Sequence, residues 1–172
     1  MQTISMIDLS HTGIVVGNLE AAMAAYSGVF GCDWAQPNDF QAPLQLRDGM
    51  VDHRWRSTYT TAGPHHLELI EQISGRFFDE PGPLRSKAHH VGRWVDDLEE
   101  EVARLEGLGF EPVMSTCPRV GEYESCVFLS HPCGGLAIEL LDRAIKPRLD
   151  EWVAGGPPLS DDVDARGAGD VR

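Results

Sequence analysis

Two histidines and two glutamates are the residues of this chain whose types and positions are best suited to chemistry. His11 and His90 each begin a His-X-Gly triplet, and Glu68 and Glu139 each lie inside a short apolar run. Imidazole nitrogen and carboxylate oxygen are ligands that suit Zn, Ni, Co, Mn and Fe. A divalent cation would also offset the charge of two carboxylates, whose burial without a partner would be very costly. The four residues therefore predict one divalent metal ion if the fold brings them together.

An internal repeat gives the reason to expect that it does. Residues 11–13 (HTG) align with residues 90–92 (HVG), and the helix-like stretches that follow them also align in the same register. A second pair of runs, LELIE at 67–71 and IELLD at 138–142, follows in the same order. Two matches in one order indicate a duplication. Because strand side chains alternate between faces, two copies packed as a pseudo-symmetric pair would bring the histidines and glutamates to equivalent places.

Each copy of the repeat has the pattern of a strand, a helix and then further strands. Residues 10–16 and 88–95 are rich in strand-forming side chains, and each run is followed by a residue that caps helices well, Asn18 or Asp97. Apolar residues at helical spacing come next. The order β-α-β-β-β, present twice, predicts an α+β fold. Further strands are predicted at 53–60 and 65–71 in the first copy and at 111–116, 123–130 and 135–142 in the second.

The composition is that of one folded, soluble domain and argues against several kinds of partner. The 172 residues carry 14 basic and 27 acidic side chains, and the net charge of -13 repels nucleic acid and anionic membranes. No apolar run is long enough to span a membrane, and the amino terminus lacks the layout of a signal peptide. The four cysteines show no CxxC spacing, which argues against a zinc knuckle. These features predict a cytoplasmic protein that acts on a small molecule.

The composition changes at Ala144, after the second copy ends. Residues 145–153 have apolar side chains on one side and predict a short helix that docks on the core. The segment that follows is rich in Gly, Pro and Asp without apolar periodicity, which is typical of a disordered tail. Residues 144–172 are therefore predicted to form a short helix and a tail, and no function is assigned to residues 154–172.

Four stretches of the sequence resemble one known family. They are SHTGIVVGNLEAAMAAYSGVFG, HHLELIEQ, AHHVGRWVDDLEEEVARLEGLGF and FLSHPCGGLAIELLD. These stretches are similar to the vicinal oxygen chelate superfamily, which is also called the glyoxalase, bleomycin resistance and dioxygenase fold. Their sequences are most similar to its lactoylglutathione lyase and methylmalonyl-CoA epimerase members. The resemblance implies one domain at 8–143, built from βαβββ modules at 8–75 and 86–143. Their curled mixed sheet would form a cup with the helices outside.

The resemblance also implies a ligand set, a chemistry and an assembly. Its metal ligands, carried onto this chain residue by residue, are His11, Glu68, His90 and Glu139, and it favours a homodimer. A metal with open positions polarises a substrate carbonyl, so that the adjacent C–H becomes acidic. A ligating carboxylate then leaves the metal and takes the proton, with Glu139 as first candidate and Glu68 as second. The expected enzyme is a glyoxalase-like or epimerase-like lyase or isomerase that acts through an enolate or enediolate.

Three further residues are candidates for the substrate site or for the surroundings of the metal. His66 shares a strand face with Glu68 and would orient a ligand or shuttle a proton. Trp94 shares the face of His90, and Tyr123 is a second aromatic residue that would stack on a bound molecule. Strict alternation along the strand predicts that His89 points to the opposite face and is structural.

One departure from the family limits the epimerase interpretation, and two other functions stay open. Epimerases of this family have a second base, a glutamate on the third strand of the first module, whereas the segment 53–60 (HRWRSTYT) has none. Asp52 and His53 lie at the edge of that segment and would supply this base only if the register differs. The same cup without catalysis serves as a metal-free binding or resistance module, in which the inward-facing aromatic residues Trp55, Trp94 and Tyr123 would stack on the ligand. An Fe(II)-dependent oxygenase uses two histidines and one glutamate, so Glu68 as a fourth ligand would crowd its open positions.

Overall fold

The structure is a computed structural model and describes residues 9–77, 88–116, 123 and 125–159. Its elements follow the predicted order of a strand, a helix and three strands, twice, which confirms the α+β class and the repeat. A 3-10 turn at Arg143–Ile145 leads into a third helix. The bounds are β1 Leu9–Val15, α1 Leu19–Phe30, β2 Asn38–Leu46, β3 Gly49–Tyr59, β4 His66–Ser74, β5 Ala88–Val95, α2 Leu98–Glu106, β6 Glu111–Ser115, β7 Cys126–Ser130, β8 Ala137–Asp142 and α3 Lys146–Val153.

The eight strands form one closed, curled mixed sheet in the order β1-β4-β3-β2-β6-β7-β8-β5, with β5 beside β1. In each module the first and last strands pair in parallel, and the other neighbours are antiparallel. Two seams join the modules. The β1–β5 seam runs along most of both strands, whereas the β2–β6 seam in the described residues pairs only Gln45 with Ser115 and Leu46 with Met114. The modules are therefore pseudo-symmetric halves of a ring with unequal junctions.

Helices α1 and α2 lie outside the ring, and each starts just after a strand that carries a candidate histidine. Asn18 caps α1, since its side chain accepts a hydrogen bond from the Ala21 amide at 2.8 Å. The helix ends at Gly31, whose φ of 64° is left-handed. Asp97 caps α2 in the same way by accepting from the Glu100 amide at 2.9 Å. The predicted capping residues thus set where both helices begin.

Strand β2 is missing from the sequence-based prediction. Its sequence, NDFQAPLQL, contains Asp39 and Pro43, residue types that are depleted in strands. Proline is tolerated at the edge of a sheet, where its missing N–H leaves no gap in a ladder. Strand β2 pairs along its whole length with β3 but only at its last two residues with β6 in the described chain. In the described chain, most of one side of β2 is therefore an edge, which explains why a strand can contain Pro43.

Helix α3 covers one end of the ring, in the segment for which a short docked helix is predicted. Trp152 is fully buried, and its Nε1 donates a hydrogen bond to the Gln36 carbonyl at 2.7 Å. Its ring meets the Tyr59 ring edge-on with 5.5 Å between centroids. The last part of the predicted tail, from residue 160, lies outside the described residues. In the described ranges, the helices are too short or too polar to cross a membrane.

Candidate metal centre

The four predicted ligands meet at one point inside the ring. Their ligand atoms all lie within 4.8 Å of one another, and all four residues are buried. Nε2 of His11 is 3.0 Å from Nε2 of His90 and 2.9 Å from Oε2 of Glu139. Oε2 of Glu68 is 3.2 Å from Nε2 of His90. The pseudo-symmetric packing expected from the repeat therefore brings all four side chains together.

The glycine of each His-X-Gly triplet lies under the histidine of the other module. In the β1–β5 seam, Gly13 pairs with His90 and Gly92 pairs with His11. A Cβ atom at Gly13 would overlap the His90 ring, and a Cβ atom at Gly92 would overlap the His11 ring. Each glycine is also the cross-strand neighbour of the glutamate of its own module. Glycine is thus the residue that lets both rings cross the seam to reach the carboxylates.

Two β-bulges orient the histidine rings. The β1–β5 pairing skips one residue on each strand, Ser10 on β1 and His89 on β5. As a result, Ser10 Oγ lies 2.8 Å from Nδ1 of His11, and Nδ1 of His89 lies 3.0 Å from Nδ1 of His90. An imidazole that binds a metal through Nε2 donates from Nδ1 to such a neighbour, which fixes its tautomer. The prediction that His89 faces away is wrong, because the bulge breaks the strict alternation of the strand.

The donor set fits a divalent cation. Two nitrogen ligands at about 2.0–2.1 Å from one metal and at right angles would lie about 2.9 Å apart, and the two Nε2 atoms are 3.0 Å apart. Oε2 of Glu139 is buried and has no aligned hydrogen-bond donor in the described part of the chain. Buried polar atoms rarely stay in that condition, and coordination would satisfy this one. Two neutral imidazoles and two carboxylates also balance a 2+ charge.

Without a metal, the centre is an electrostatically coupled cluster. Burial lowers the pKa of His90, but the carboxylates of Glu139 and Glu68 outweigh burial and raise that pKa to about 9. Burial raises the pKa of Glu139, but His90 and His11 outweigh it and hold that pKa well below its usual range. Burial and the neighbouring His90 lower the pKa of His89 to about 4. At neutral pH, a protonated His90 therefore lies beside an ionised Glu139 and a neutral His89.

Metal binding is expected to release about one proton at pH 7, because His90 must lose its proton before it can coordinate. The pKa of about 9 means that binding competes with this proton at every lower pH. The apparent affinity should then rise about tenfold for each pH unit up to that value. Calorimetry in buffers of different ionisation enthalpy, between pH 6.5 and 8.5, measures the released proton. A binding enthalpy that is the same in every buffer would contradict this expectation.

An inner cavity of about 160 Å³ has both glutamates in its wall. The hydroxyl, thiol and indole groups of Tyr59, Cys126 and Trp55 lie around them, and the Trp55 ring stacks on Phe40 at 5.0 Å. Leu149 and Trp152 from the α3 helix close the cavity on one side. A bound molecule would therefore meet two carboxylates at one end and an aromatic wall along its length.

A second cavity of about 370 Å³ shares Tyr59 and Leu149 with the inner cavity. Its wall contains His11 and the predicted neighbours His66 and Trp94. Nδ1 of His66 donates to the Thr60 carbonyl at 2.6 Å, so the other ring nitrogen is its acceptor when the ring is neutral. Two cations that the sequence did not single out, Arg143 and Lys146, also line this cavity. The structure thus places His66 and Trp94 near the centre but not in the cavity that holds the carboxylates.

Tyr123 lies apart from the centre. It packs against the apolar cluster between α2 and strands β7 and β8, and it belongs to neither cavity wall. The two candidates for a second base differ in position, since Asp52 is exposed and His53 is buried beside the Trp55 ring at 5.4 Å. Neither residue lines either of these two cavities. Among the described residues of β3, therefore, no carboxylate faces the inner cavity.

Trp55, one of the aromatic residues expected to stack on a bound molecule, lies in the wall of the inner cavity. The most important residues that sequence reasoning missed lie near it on β3 and on β7. Ser57 and Tyr59 alternate with Trp55 along β3 towards the inner cavity, and Cys126 begins β7 on the same side. Their period of two is visible in the sequence from residue 55 to residue 59. The sequence does not say which of the two faces is inside, and that is why the period alone did not identify them.

Comparison with known proteins gives a family and several relatives. The family model described as the Glyoxalase/Bleomycin resistance protein/Dioxygenase superfamily matches residues 10–128. Bovine mitochondrial methylmalonyl-CoA epimerase is 29% identical over 140 residues, which are 77% of this chain and 72% of that protein. The ethylmalonyl-CoA/methylmalonyl-CoA epimerase of Cereibacter sphaeroides is 28% identical over 140 residues, 77% of this chain and 95% of that protein.

Solved structures share the fold. A hypothetical protein from Bacillus halodurans superposes with a TM-score of 0.54 at 21% identity, covering 78% of this chain and 93% of that one. Methylmalonyl-CoA epimerase from Mycobacterium tuberculosis superposes with a TM-score of 0.50 at 23% identity, covering 87% and 97%. At such identities the likeness concerns the fold alone, and it agrees with the paired βαβββ modules expected from the sequence.

Proposed function

Because the chain belongs to the Glyoxalase/Bleomycin resistance protein/Dioxygenase superfamily, we propose that it is a divalent-metal-dependent isomerase or lyase of the epimerase or glyoxalase type. It would move a proton at the carbon next to a substrate carbonyl. The observation that carries this proposal is the convergence of His11, Glu68, His90 and Glu139, from equivalent strands of two modules, at one buried point. The curated relatives named as epimerases support the isomerase side. The domain bounds 8–143, the homodimer and the cytoplasmic location are parts of the same proposal.

The proposed reaction divides between the ion and the chain. When bound, a divalent ion would polarise the substrate carbonyl and stabilise the enolate that remains when the α-proton leaves. The chain itself supplies the base, with Glu139 as first candidate and Glu68 as second, both in the wall of the inner cavity. The aromatic wall of Trp55 and Phe40 would hold the apolar part of the substrate and exclude water from the carboxylates.

The substrate is proposed as a class and not as one compound. The class is carbonyl compounds with an acidic C–H beside the carbonyl, and methylmalonyl-CoA, in the names of the curated relatives, is one member to test. Because β3 offers no carboxylate to the inner cavity in the described residues, the only candidate bases there are the two glutamates. A 1,2-proton shift or a rearrangement through one base therefore stands beside epimerisation within the proposal.

A metal-free binding module is the alternative that the same cup would allow. It would leave two carboxylates buried beside two histidines in a cavity wall with no catalytic use. Burying charges is costly unless they are paired and hydrogen-bonded, and a module that only binds apolar molecules gains nothing from them. The charge of the centre thus favours the enzyme, and the two functions differ in measurable metal content and proton exchange.

Metal content and proton exchange test the proposed function directly. Protein purified without a histidine tag is expected to carry about one divalent ion per chain, and a His11→Ala variant is expected to carry less. The holoprotein should exchange the α-proton of a suitable carbonyl compound with deuterated water, as followed by NMR. Chelation should stop the exchange and added ion should restore it.

His131→Ala is the matched control, since this histidine lies outside the ring beside Phe110 and should leave the metal content unchanged. Full metal content in the His11→Ala variant would overturn the assignment of the centre. Proton exchange that survives complete chelation would overturn the proposed role of the ion.

A further inference from the structure

The two glutamates of the centre are equivalent in the repeat but have different neighbours. In the β3–β4 ladder the residue opposite Glu68 is Tyr59, and in the β7–β8 ladder the residue opposite Glu139 is Phe128. Tyr59 and Phe128 therefore occupy corresponding positions of the two modules. Each of their rings also packs edge-on against a ligand histidine, at 5.2 Å in the first module and 4.9 Å in the second. At this pair of positions the modules differ by one phenolic hydroxyl.

That hydroxyl interacts with Glu68. The Tyr59 side chain lies opposite Glu68 in the ladder and lines the same cavity, and only 6% of the residue is exposed. Its hydroxyl is a hydrogen-bonding neighbour of the Glu68 carboxylate. A phenol keeps its proton at neutral pH, so it can only donate to the carboxylate. A charge-assisted O–H···O bond in a buried site is among the stronger hydrogen bonds in proteins.

Glu139 has no equivalent restraint. Phe128 has no donor, and apart from His11 and His90 the neighbour that interacts with this carboxylate is the Cys126 thiol, a weak donor. Oε2 of Glu139 has no aligned donor among the described residues. Ser57, two residues before Tyr59 on β3, corresponds to Cys126, two residues before Phe128 on β7. The two modules therefore differ in their hydrogen-bond donors at both of these positions. The second carboxylate is held mainly by attraction to the histidines and to whatever occupies the centre.

We propose that Tyr59 is a positioning residue that fixes Glu68 at the centre and thereby leaves Glu139 as the carboxylate that departs to carry the proton. The assignment of Glu139 as the residue that carries the proton rests on the proposed function, whereas the restraint on Glu68 does not. A ligand held by a neighbouring hydrogen bond keeps its orientation, and a base must move between two places during a reaction cycle. The Tyr59 hydroxyl would thus make Glu68 a fixed metal ligand and leave Glu139 as the base.

A double-mutant cycle on metal affinity tests the restraint. Tyr59→Phe makes the first module like the second and is expected to weaken Zn²⁺ or Co²⁺ binding about tenfold. In a Glu68→Gln background the same substitution should change the affinity by less than about threefold, because the carboxylate that it supports is gone. In a Glu139→Gln background it should keep its full effect. Equal losses in both backgrounds, or no loss at all, would overturn the proposal.

The converse variant tests the freedom of Glu139. Phe128→Tyr places a hydroxyl opposite Glu139 and is expected to slow proton exchange about tenfold, while the metal affinity stays equal to that of the wild type or becomes tighter. A structural disturbance would weaken binding as well, so the two readouts separate positioning from damage. Exchange at the wild-type rate in a folded, metal-loaded Phe128→Tyr protein would count against the division of roles.

Failure of the proposed function and failure of the Glu68 restraint give different results. If the wild-type chain binds no divalent ion, the proposed function fails, and the Tyr59→Phe with Glu68→Gln cycle is then measured by urea unfolding of the metal-free protein. A coupled shift of the unfolding midpoint would still support the restraint, and additive shifts would refute it. If the ion binds and the affinity cycle behaves as expected but no α-proton exchanges, the restraint stands and the proposed reaction is wrong.

Discussion

A Gly13→Ala variant is expected to bind divalent metal about 100-fold more weakly than the wild type. The added Cβ would occupy the space of the His90 imidazole, so the ring must turn or move out of the centre. His90 then no longer presents Nε2 towards His11 and the two carboxylates. Gly92→Ala should have the same effect from the other side, because its Cβ would overlap the His11 ring. Calorimetric titration of the metal-free variants measures both affinities.

Gly17→Ala is the matched control for these substitutions. Gly17 follows β1 and has no atom within 4 Å of the position of its missing Cβ, so the variant should bind metal like the wild type. Circular dichroism and thermal unfolding show whether each variant is folded. A folded Gly13→Ala protein with unchanged metal affinity would refute the arrangement in which each module's glycine makes room for the other module's histidine.

A Glu139→Gln variant is expected to lose α-proton exchange by about 1,000-fold at saturating metal, a loss within the range for removal of a general base. Glutamine keeps the size of the side chain and an oxygen that can approach a cation, but its amide does not accept a proton at neutral pH. The metal affinity should fall much less than the exchange rate. Measuring both quantities on one preparation separates loss of the base from loss of the ion.

Glu111→Gln is the control of the same chemical kind. Glu111 is exposed on β6 and pairs with Arg47 at 2.6 Å, so exchange should stay at the wild-type rate. Near wild-type exchange in metal-loaded Glu139→Gln would assign the proton transfer to another group, with Glu68 as the next candidate in the wall of the inner cavity.

The sequence was sufficient to predict the fold class and which four side chains would converge. The reason is that duplication shows each candidate ligand twice, so His11 and Glu68 could be checked against His90 and Glu139. Alternation of side chains then predicted a common face, and the parallel pairing within each module agrees with it. A sequence pattern that occurs twice in one chain can be recognised without knowledge of the tertiary contacts.

The sequence alone did not predict the features that depend on pairing between distant strands. The bulges at Ser10 and His89 exist because of the β1–β5 register, and a rule of strict alternation places His89 on the wrong side. Tyr59 becomes important only because β3 sets it opposite Glu68. Tyr123 was predicted from its residue type alone, and its packing against the apolar cluster beside α2 depends on contacts that the sequence does not show. In each case the neighbour, and not the residue itself, decides the role.

A ring of strands opens most readily where its ladder is shortest, because local opening requires only the contacts at that place to break. At β2–β6 the described ladder has two residue pairs, and both Thr116, which follows Ser115, and Ala42, three residues before Gln45, line the inner cavity. At β1–β5 the rings and glycines of both modules interlock across a longer ladder. Within the described residues, the β2–β6 ladder is therefore the place where we expect local opening first, beside the inner cavity. The four candidate ligands lie at the longer β1–β5 ladder, and opening at β2–β6 would leave them together.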